Sequence, residues 1–155
     1  MARFSKLFSD GDFASGVTFY EDSFPGDSED NVRIVVYAVV AGILTPFIVD
    51  TGAPWCVLDP RLAQLLIEDG QTDHIDDIKY RVRTALYSGA LIRLALALQD
   101  ESTGDHTTIE ATFFVPSLQP EDEWREPNFI GLKGCLERVR CAIDPEENAF
   151  YFGRV

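Results

Sequence analysis

An apolar segment that ends abruptly in Asp50-Thr51-Gly52 constrains this chain more than any other feature of its sequence. The segment, residues 43–49, is rich in apolar and β-branched side chains, which predicts a buried strand. Pro46 confines that strand to a position where the ladder lacks one donor. The strand delivers a carboxylate into a tight turn, where the Thr51 hydroxyl and the Cβ-free backbone of Gly52 allow it a fixed, hydrogen-bonded pose. Taken alone, the tripeptide is more typical of an Asx turn that closes a strand.

Two further segments complete a recognisable pattern. Ala41-Gly42-Ile43-Leu44 leads directly into the predicted strand, and Phe129-Ile130-Gly131 places two apolar residues before a glycine near the other end of the chain. With the tripeptide, these segments resemble the signatures of the retropepsin-like aspartic peptidases, in particular bacterial single-domain members. Three signatures in the same order make a chance match improbable.

The resemblance spans residues 31–155 and implies an all-β fold, a retropepsin-like acid protease barrel with one lobe per chain and one or two short helices. Residues 132–139, after the second signature, resemble the family's short helix. Residues 142–145 and 149–153 resemble its closing strands. Apolar alternation from Val32 onward, interrupted at short intervals by turn residues, independently favours a small all-β fold.

Residues 1–30 differ in composition from the rest and are predicted to form a loop-rich N-terminal arm ahead of one peptidase domain, residues 31–155. Within the arm, residues 17–20 have the composition of a short strand. A helix is predicted over residues 60–69, because Asp59 suits the N-cap and a glycine follows the apolar periodicity.

Retropepsin-like enzymes work as homodimers with one motif per subunit, and this chain carries the motif once. The resemblance implies an active site shared by two copies and no cofactor. Asp50 of each copy supplies the acid and the base, and Thr51 and Gly52 position it. Amide hydrolysis needs both roles, which two carboxylates about 3 Å apart provide by sharing one proton. Ala53 offers this pair no hydroxyl donor, which predicts activity at mildly acidic pH.

A lid must enclose the reacting amide, and the best candidate is a hairpin over residues 80–96 with its turn at Ser88-Gly89. The predicted substrate-binding residues are Ala53, Trp55, Tyr87, Ser88 and Gly89. Two alternatives remain open. The hairpin can be an ordinary core hairpin with Tyr87 as a half-buried aromatic, and Trp55 can be a structural aromatic.

One departure from the retroviral pattern concerns the subunit interface. Retroviral members pair an aspartate two residues after the motif glycine with an arginine just after the second-signature glycine, whereas this chain has Pro54 and Leu132 at those places. Because both charged partners are absent together, no charge is left unpaired. The pattern indicates a different solution to the same interface.

Composition limits the other classes of function. A net charge of −13 argues against nucleic-acid binding, because a phosphate backbone would be repelled. The sequence has neither an apolar run of membrane-spanning length nor an apolar signal at its start, which predicts a cytoplasmic protein without membrane association. The cysteines suit reduced thiols rather than a disulfide framework, and His74 and His106 lack the spacing of a metal site.

These observations predict an aspartic endopeptidase that cleaves peptide or protein substrates as a homodimer. The competing class is a non-catalytic retropepsin-like module for dimerisation or peptide binding. The intact Asp50-Thr51-Gly52 disfavours that class, since a binding module needs no ionisable group there. A thiol peptidase based on Cys56 is a weaker alternative, because Cys56 falls in an apolar strand.

Overall fold

Ten strands and one α-helix make up the parts of the chain that the computed structural model describes, residues 13–27, 32–70 and 72–155. The elements are β1 (Gly16–Phe19), β2 (Val35–Val40), β3 (Ile43–Val49), β4 (Cys56–Val57), α1 (Pro60–Glu68), β5 (Asp73–Val82), β6 (Ala85–Gln99), β7 (His106–Pro116), β8 (Phe129–Ile130), β9 (Val139–Asp144) and β10 (Ala149–Arg154). In these three segments no helix has the length and apolar character that crossing a lipid bilayer requires.

Six strands close into a barrel, and one more extends it. The large sheet runs β2-β3-β8-β4-β7-β6-β5, and β2 also pairs with β6, so the first six of these strands form a ring. β5 lies at the edge of this sheet, paired with β6. β1, β10 and β9 form a separate three-stranded sheet. The predicted all-β barrel with one lobe per chain is confirmed.

Alternating apolar side chains fill the barrel. Val40 on β2 and Leu96 on β6 are fully buried, and the rings of Phe47 and Phe113 meet inside with their centroids 6.1 Å apart. Burying a large apolar side chain of this kind stabilises the fold by roughly 1.5–3 kcal/mol. The barrel interior is therefore a packed core, and a substrate cavity has to lie at its rim.

The strand predicted at residues 17–20 is present as β1, which pairs along β10. Buried Asp100 also holds it, because its carboxylate accepts a hydrogen bond from the Val17 N–H at 3.1 Å. Burial opposes ionisation of Asp100, but hydroxyl and backbone donors outweigh burial and lower the pKa of this carboxyl. Part of the predicted N-terminal arm therefore belongs to the folded sheet. Residues 1–12 and 28–30 of that arm lie outside the described residues.

The helix predicted over residues 60–69 is confirmed as α1. Asp59 is its N-cap, and the Asp59 carboxylate accepts from the Arg61 N–H at 2.8 Å. Leu66 is buried against the barrel. Gly70 has a φ of +67°, the left-handed conformation that commonly ends a helix. The sequence located this element well because its start and stop signals are local.

The segment after the second signature is less helical than predicted. Residues 132–139 contain a turn followed by one 3₁₀ turn, Leu136–Arg138. Gly134 has a φ of +76°, which no right-handed helix accommodates. A Cβ at Gly134 would also lie 2.7 Å from the Thr112 hydroxyl on β7. Close packing against β7 therefore decides the path here, and the closing strands that follow are present as β9 and β10.

The hairpin predicted over residues 80–96 is present, but the prediction placed its turn wrongly. β5 ends at Val82 and β6 begins at Ala85, so Arg83 and Thr84 form the turn. Ser88 and Gly89 lie inside β6, where Gly89 pairs with a residue on each side.

Close packing explains why a glycine stands inside β6. A Cβ at Gly89 would overlap the Val115 carbonyl oxygen and lie 2.8 Å from ring carbons of Phe114. A Ser-Gly pair serves equally as a turn or as a site of close backbone approach, and here the second use applies.

We expect Gly89→Ala to lower the free energy of unfolding by about 1–3 kcal/mol or more, because the added methyl meets backbone that cannot rotate away. Ser88→Ala is the matched control, since Ser88 is exposed and its loss should change stability by less than about 0.5 kcal/mol. Denaturant unfolding of both variants measures the difference. Equal stability of the two would contradict this account of Gly89.

Candidate active site

Asp50 directly follows β3 and is fixed by backbone bonds on both sides. Its N–H donates to the Ile130 carbonyl at 2.9 Å, and its carbonyl accepts from the Ala53 N–H at 3.1 Å. The carboxylate oxygen Oδ1 accepts from the Gly52 N–H at 2.9 Å. Asp50 is half-buried, so the carboxylate is held in place and remains reachable. The Asx turn that the tripeptide suggests is therefore present, and it orients this acid.

Gly52 leaves room for the carboxylate that it binds. A Cβ on Gly52 would lie 3.2 Å from Asp50 Oδ1, which is tighter than most side-chain contacts. Thr51 and Gly52 are both exposed at the outside of the turn, and Ala53 is half-buried behind it. The structure thus brings the motif residues together around one carboxylate.

The second signature packs directly against the motif. β8 lies between β3 and β4, pairing in parallel with β3 and antiparallel with β4. Gly131, which follows β8, approaches the motif loop so closely that a Cβ there would lie 2.8 Å from the Ala53 carbonyl oxygen and nearer still to Trp55. A glycine is therefore required at this crossing.

Two more backbone bonds join the same loops at the positions where retroviral members carry their charged pair. The Leu132 N–H donates to the Ala53 carbonyl at 2.8 Å, and the Lys133 N–H donates to the Pro54 carbonyl at 2.7 Å. Within one chain, main-chain hydrogen bonds thus hold together the loops that contain Pro54 and Leu132.

Cys56 and Cys135 lie side by side beneath this crossing, and both are buried. Cys56 Sγ accepts from the Gly131 N–H at 3.4 Å. A hydrogen bond with Cys56, together with burial, raises the pKa of the Cys135 thiol. Cys56 is fully enclosed and cannot reach a substrate, which removes support from a thiol peptidase.

A cavity of about 920 Å³ opens beside Asp50. Its walls come from six parts of the chain: Tyr20 with Asp22, residues 32–34, residues 48–50 with 52–54, Val57, the hairpin tip at residues 80–83, and Phe129. The motif and the tip of the β5–β6 hairpin therefore face one space. Because of this position, the hairpin remains the candidate for the lid. Its turn, however, is at Arg83-Thr84 and not at the predicted Ser88-Gly89.

Tyr80 links the hairpin to the motif loop. Its hydroxyl accepts from the Trp55 N–H at 3.4 Å, and its ring packs against Phe114 with the centroids 5.1 Å apart. Burial raises the pKa of Tyr80, and the nearby charge of Asp50 raises it further. The phenol is therefore protonated at ordinary pH, with its own proton available to a second acceptor.

Four of the predicted substrate-binding residues lie away from the cavity walls. Trp55 is half-buried beside Tyr80, and Lys133 Nζ lies 4.9 Å from the centre of its ring. Tyr87 packs edge-on against Trp124 at 5.2 Å. Ser88 and Gly89 lie within β6. Of the substrate-binding residues predicted from the sequence, the cavity wall includes Ala53.

Sequence reasoning missed three residues that shape the site. Tyr80 and Arg83 lie in the predicted hairpin, but the misplaced turn left them out of the predicted site. Asn128 is buried, and its amide bridges the Pro46 carbonyl at 3.2 Å and the Asp59 N–H at 2.8 Å. A polar residue immediately before the second signature was the available signal.

Comparisons with known proteins bear on the fold. No family model and no curated protein matches the chain. Among solved structures, the chain is similar to a retropepsin-like aspartic protease from Rickettsia conorii, with 20% identity, coverage of 90% of each chain and a TM-score of 0.51. A second similar structure is the retroviral protease-like domain of Ddi1 from Leishmania major, with 16% identity, coverage of 79% of this chain and 94% of that chain, and a TM-score of 0.43. The similarity to the Rickettsia conorii structure shows that the chain has the retropepsin-like fold.

Proposed function

We propose that this protein is an aspartic endopeptidase whose active site forms between two copies of the chain, each contributing Asp50. The observation that carries the proposal is the position of the Asp50 carboxylate. It is fixed by the Gly52 N–H and lies beside a cavity that the hairpin tip also lines. A carboxylate serving only as a turn cap would need neither the cavity nor a lid.

The chemistry requires a second carboxylate. Peptide hydrolysis needs one group to take a proton from water and another to donate a proton to the carbonyl oxygen and then to the leaving nitrogen. Two carboxylates about 3 Å apart share one proton and fill both roles. Asp50 occurs in a motif found once in the sequence, so a copy of the chain is the natural source of its partner.

Apolar side chains make up much of the remaining cavity wall. They include Val32, Ile34, Ile48, Val49, Val57, Val82 and Phe129. A peptide with an apolar side chain beside the scissile bond would bury that side chain here, while a polar group from Tyr80 meets its backbone. We therefore propose peptides or proteins with exposed apolar residues as the substrate class.

Asp50→Asn tests the role of the carboxylate. The amide has the same shape and accepts the same Gly52 bond, but it cannot share the catalytic proton, so we expect hydrolysis of a diverse peptide library to disappear. Asp59→Asn is the control, because asparagine caps α1 as well as aspartate does. Residual turnover by Asp50→Asn near the parent rate would refute the peptidase proposal, and no turnover by the parent at any pH would favour the non-catalytic module.

Dilution tests the shared site. If two copies form the dyad, activity per protomer falls as the protein is diluted below its dimer dissociation constant. Sedimentation across the same concentrations should place the loss of activity where dimers dissociate. A monomer with full activity would contradict the proposal.

Ala53→Ser tests the electrostatics of the dyad. A serine hydroxyl can donate to the ionised carboxylates, which stabilises the ionised form and lets it persist at lower pH. The acid limb of kcat/KM should then move to lower pH by roughly half to one unit, the effect of one hydrogen bond of typical strength. The measurement is kcat/KM as a function of pH for parent and variant, with the same fluorogenic peptide as substrate. An acid limb that stays in place or moves upward would show that residue 53 does not contact the dyad.

A further inference from the structure

Arg83 occupies the tip of the β5–β6 hairpin in a backbone conformation that arginine seldom adopts. Its φ is +52°, in the left-handed region that favours glycine, asparagine or aspartate in a two-residue hairpin turn. The turn is therefore built around an unfavourable residue. This indicates that the Arg83 side chain is needed where it lies.

The Arg83 guanidinium contacts two carboxylates from two other segments. Nη1 and Nη2 donate to Asp27 Oδ1 and Oδ2 at 3.2 and 2.8 Å. Nη1 also lies 3.2 Å from Glu126 Oε2, as an ion pair without hydrogen-bond alignment. The planar fork of arginine suits such a two-pronged contact, which lysine cannot reproduce. We call Arg83, Asp27 and Glu126 the tip cluster.

The tip cluster is far more enclosed than a typical surface ion pair. The side chains of Arg83, Asp27 and Glu126 are 18%, 5% and 24% exposed. Arg125 and Glu123, an ion pair in the same loop as Glu126, are 79% and 68% exposed. Removing one member of an enclosed pair leaves a poorly solvated charge, whereas exposed pairs contribute little to stability. The tip cluster therefore restrains the hairpin tip against the segments that contain Asp27 and Glu126.

The tip cluster joins the projecting end of the β5–β6 hairpin to the body of the protein. β7 pairs with β6 from Gly89 onward, where Gly89 faces Pro116, so the hairpin beyond this point extends as two strands past the barrel. The same tip lines the cavity beside Asp50. Arg83 also lies over the ring of Phe129 at the cavity wall, 5.8 Å from its centre. The position of the tip over the cavity thus depends on contacts made at its end.

The partners of Arg83 come from two segments outside the hairpin. Asp27 ends a tight turn closed by its N–H to the Phe24 carbonyl at 3.1 Å. Glu126 belongs to the loop between β7 and β8, and the ring contact between Tyr87 and Trp124 holds the hairpin to the same loop. Because this ring contact involves no charge, we expect loss of the tip cluster to loosen the tip without releasing the whole hairpin.

We propose that Arg83 is the positioning residue of the lid. Through Asp27 and Glu126 it holds the hairpin tip closed at the cavity rim, and these three charges separate each time a peptide enters or leaves. The proposal rests on the proposed function, in which this hairpin covers a peptidase site. It gives the turn at residues 24–27 a role in substrate admission, and it predicts that loss of the tip cluster shifts the hairpin toward open conformations.

Hydrogen exchange of the backbone amides in residues 80–86 tests the proposal without reference to activity. Asp27→Asn removes one charge while keeping the side-chain volume, and Arg83→Asn removes the guanidinium while suiting the positive φ of the turn. We expect the amides of this segment to exchange about tenfold faster or more in both variants. The amides in the part of β6 that pairs with β7, from Gly89 onward, should exchange at the parent rate. Arg125→Gln, which breaks the exposed ion pair in the loop that also contains Glu126, should leave exchange in both regions unchanged.

Unchanged exchange at the tip in both variants would overturn the proposal, and so would faster exchange spread evenly over the barrel, because that result indicates a general structural role. Arg83→Lys provides a milder variant if Arg83→Asn does not fold. It keeps the charge without the two-pronged geometry, so its exchange at the tip should lie between those of the parent and Asp27→Asn.

Binding kinetics give a second readout, with a statine-containing peptide, a transition-state analogue of aspartic peptidases, as the probe. Because the tip cluster closes the lid before and after binding, Asp27→Asn should raise the association and dissociation rate constants together, each several-fold. A variant that only damages the site would bind more slowly and contradict the proposal. If the parent binds no probe, the proposed function fails, while hydrogen exchange still decides the role of Arg83.

Discussion

The close backbone contact between the motif loop and the second signature is the constraint on which the rest of the site depends. Gly131 admits the loop after Asp50 at a distance that no side chain would allow. Main-chain bonds from Ile130, Leu132 and Lys133 then tie that loop in place. Because these are main-chain bonds, the fold itself sets the position of Asp50, with little contribution from neighbouring side chains.

The proposed lid follows from a mismatch in strand length. β6 has 15 residues and continues past the end of β7, so its first part pairs with β5 alone and projects over the cavity. A two-stranded arm is only marginally stable in water without support. Tyr80 supports the arm through the Trp55 N–H, and Arg83 supports it at the turn through Asp27 and Glu126. The part of the hairpin beside the cavity is therefore held by few contacts.

Local signals predicted local structure well, and tertiary packing decided the rest. Asp59 and Gly70 flank α1 with ordinary cap chemistry, so the helix was predicted nearly to the residue. Ser88-Gly89 also has the composition of a turn, yet Gly89 is a glycine because the backbone of β7 approaches it too closely for a side chain. Once that turn was misplaced, Arg83 was assigned to a strand. The pairing of Arg83 with Asp27, 56 residues away, depends on the folded chain and leaves no periodic trace in the sequence.

The central claim is that two copies of Asp50 make one active site, and subunit mixing tests it most directly. Parent protein is mixed with an equal amount of Asp50→Asn protein, and time is allowed for subunits to exchange. Random pairing leaves about one quarter of the dimers with two carboxylates, so the mixture should have about half the activity of the same parent protein alone. Activity that is undiminished after complete exchange would contradict a site that two chains share.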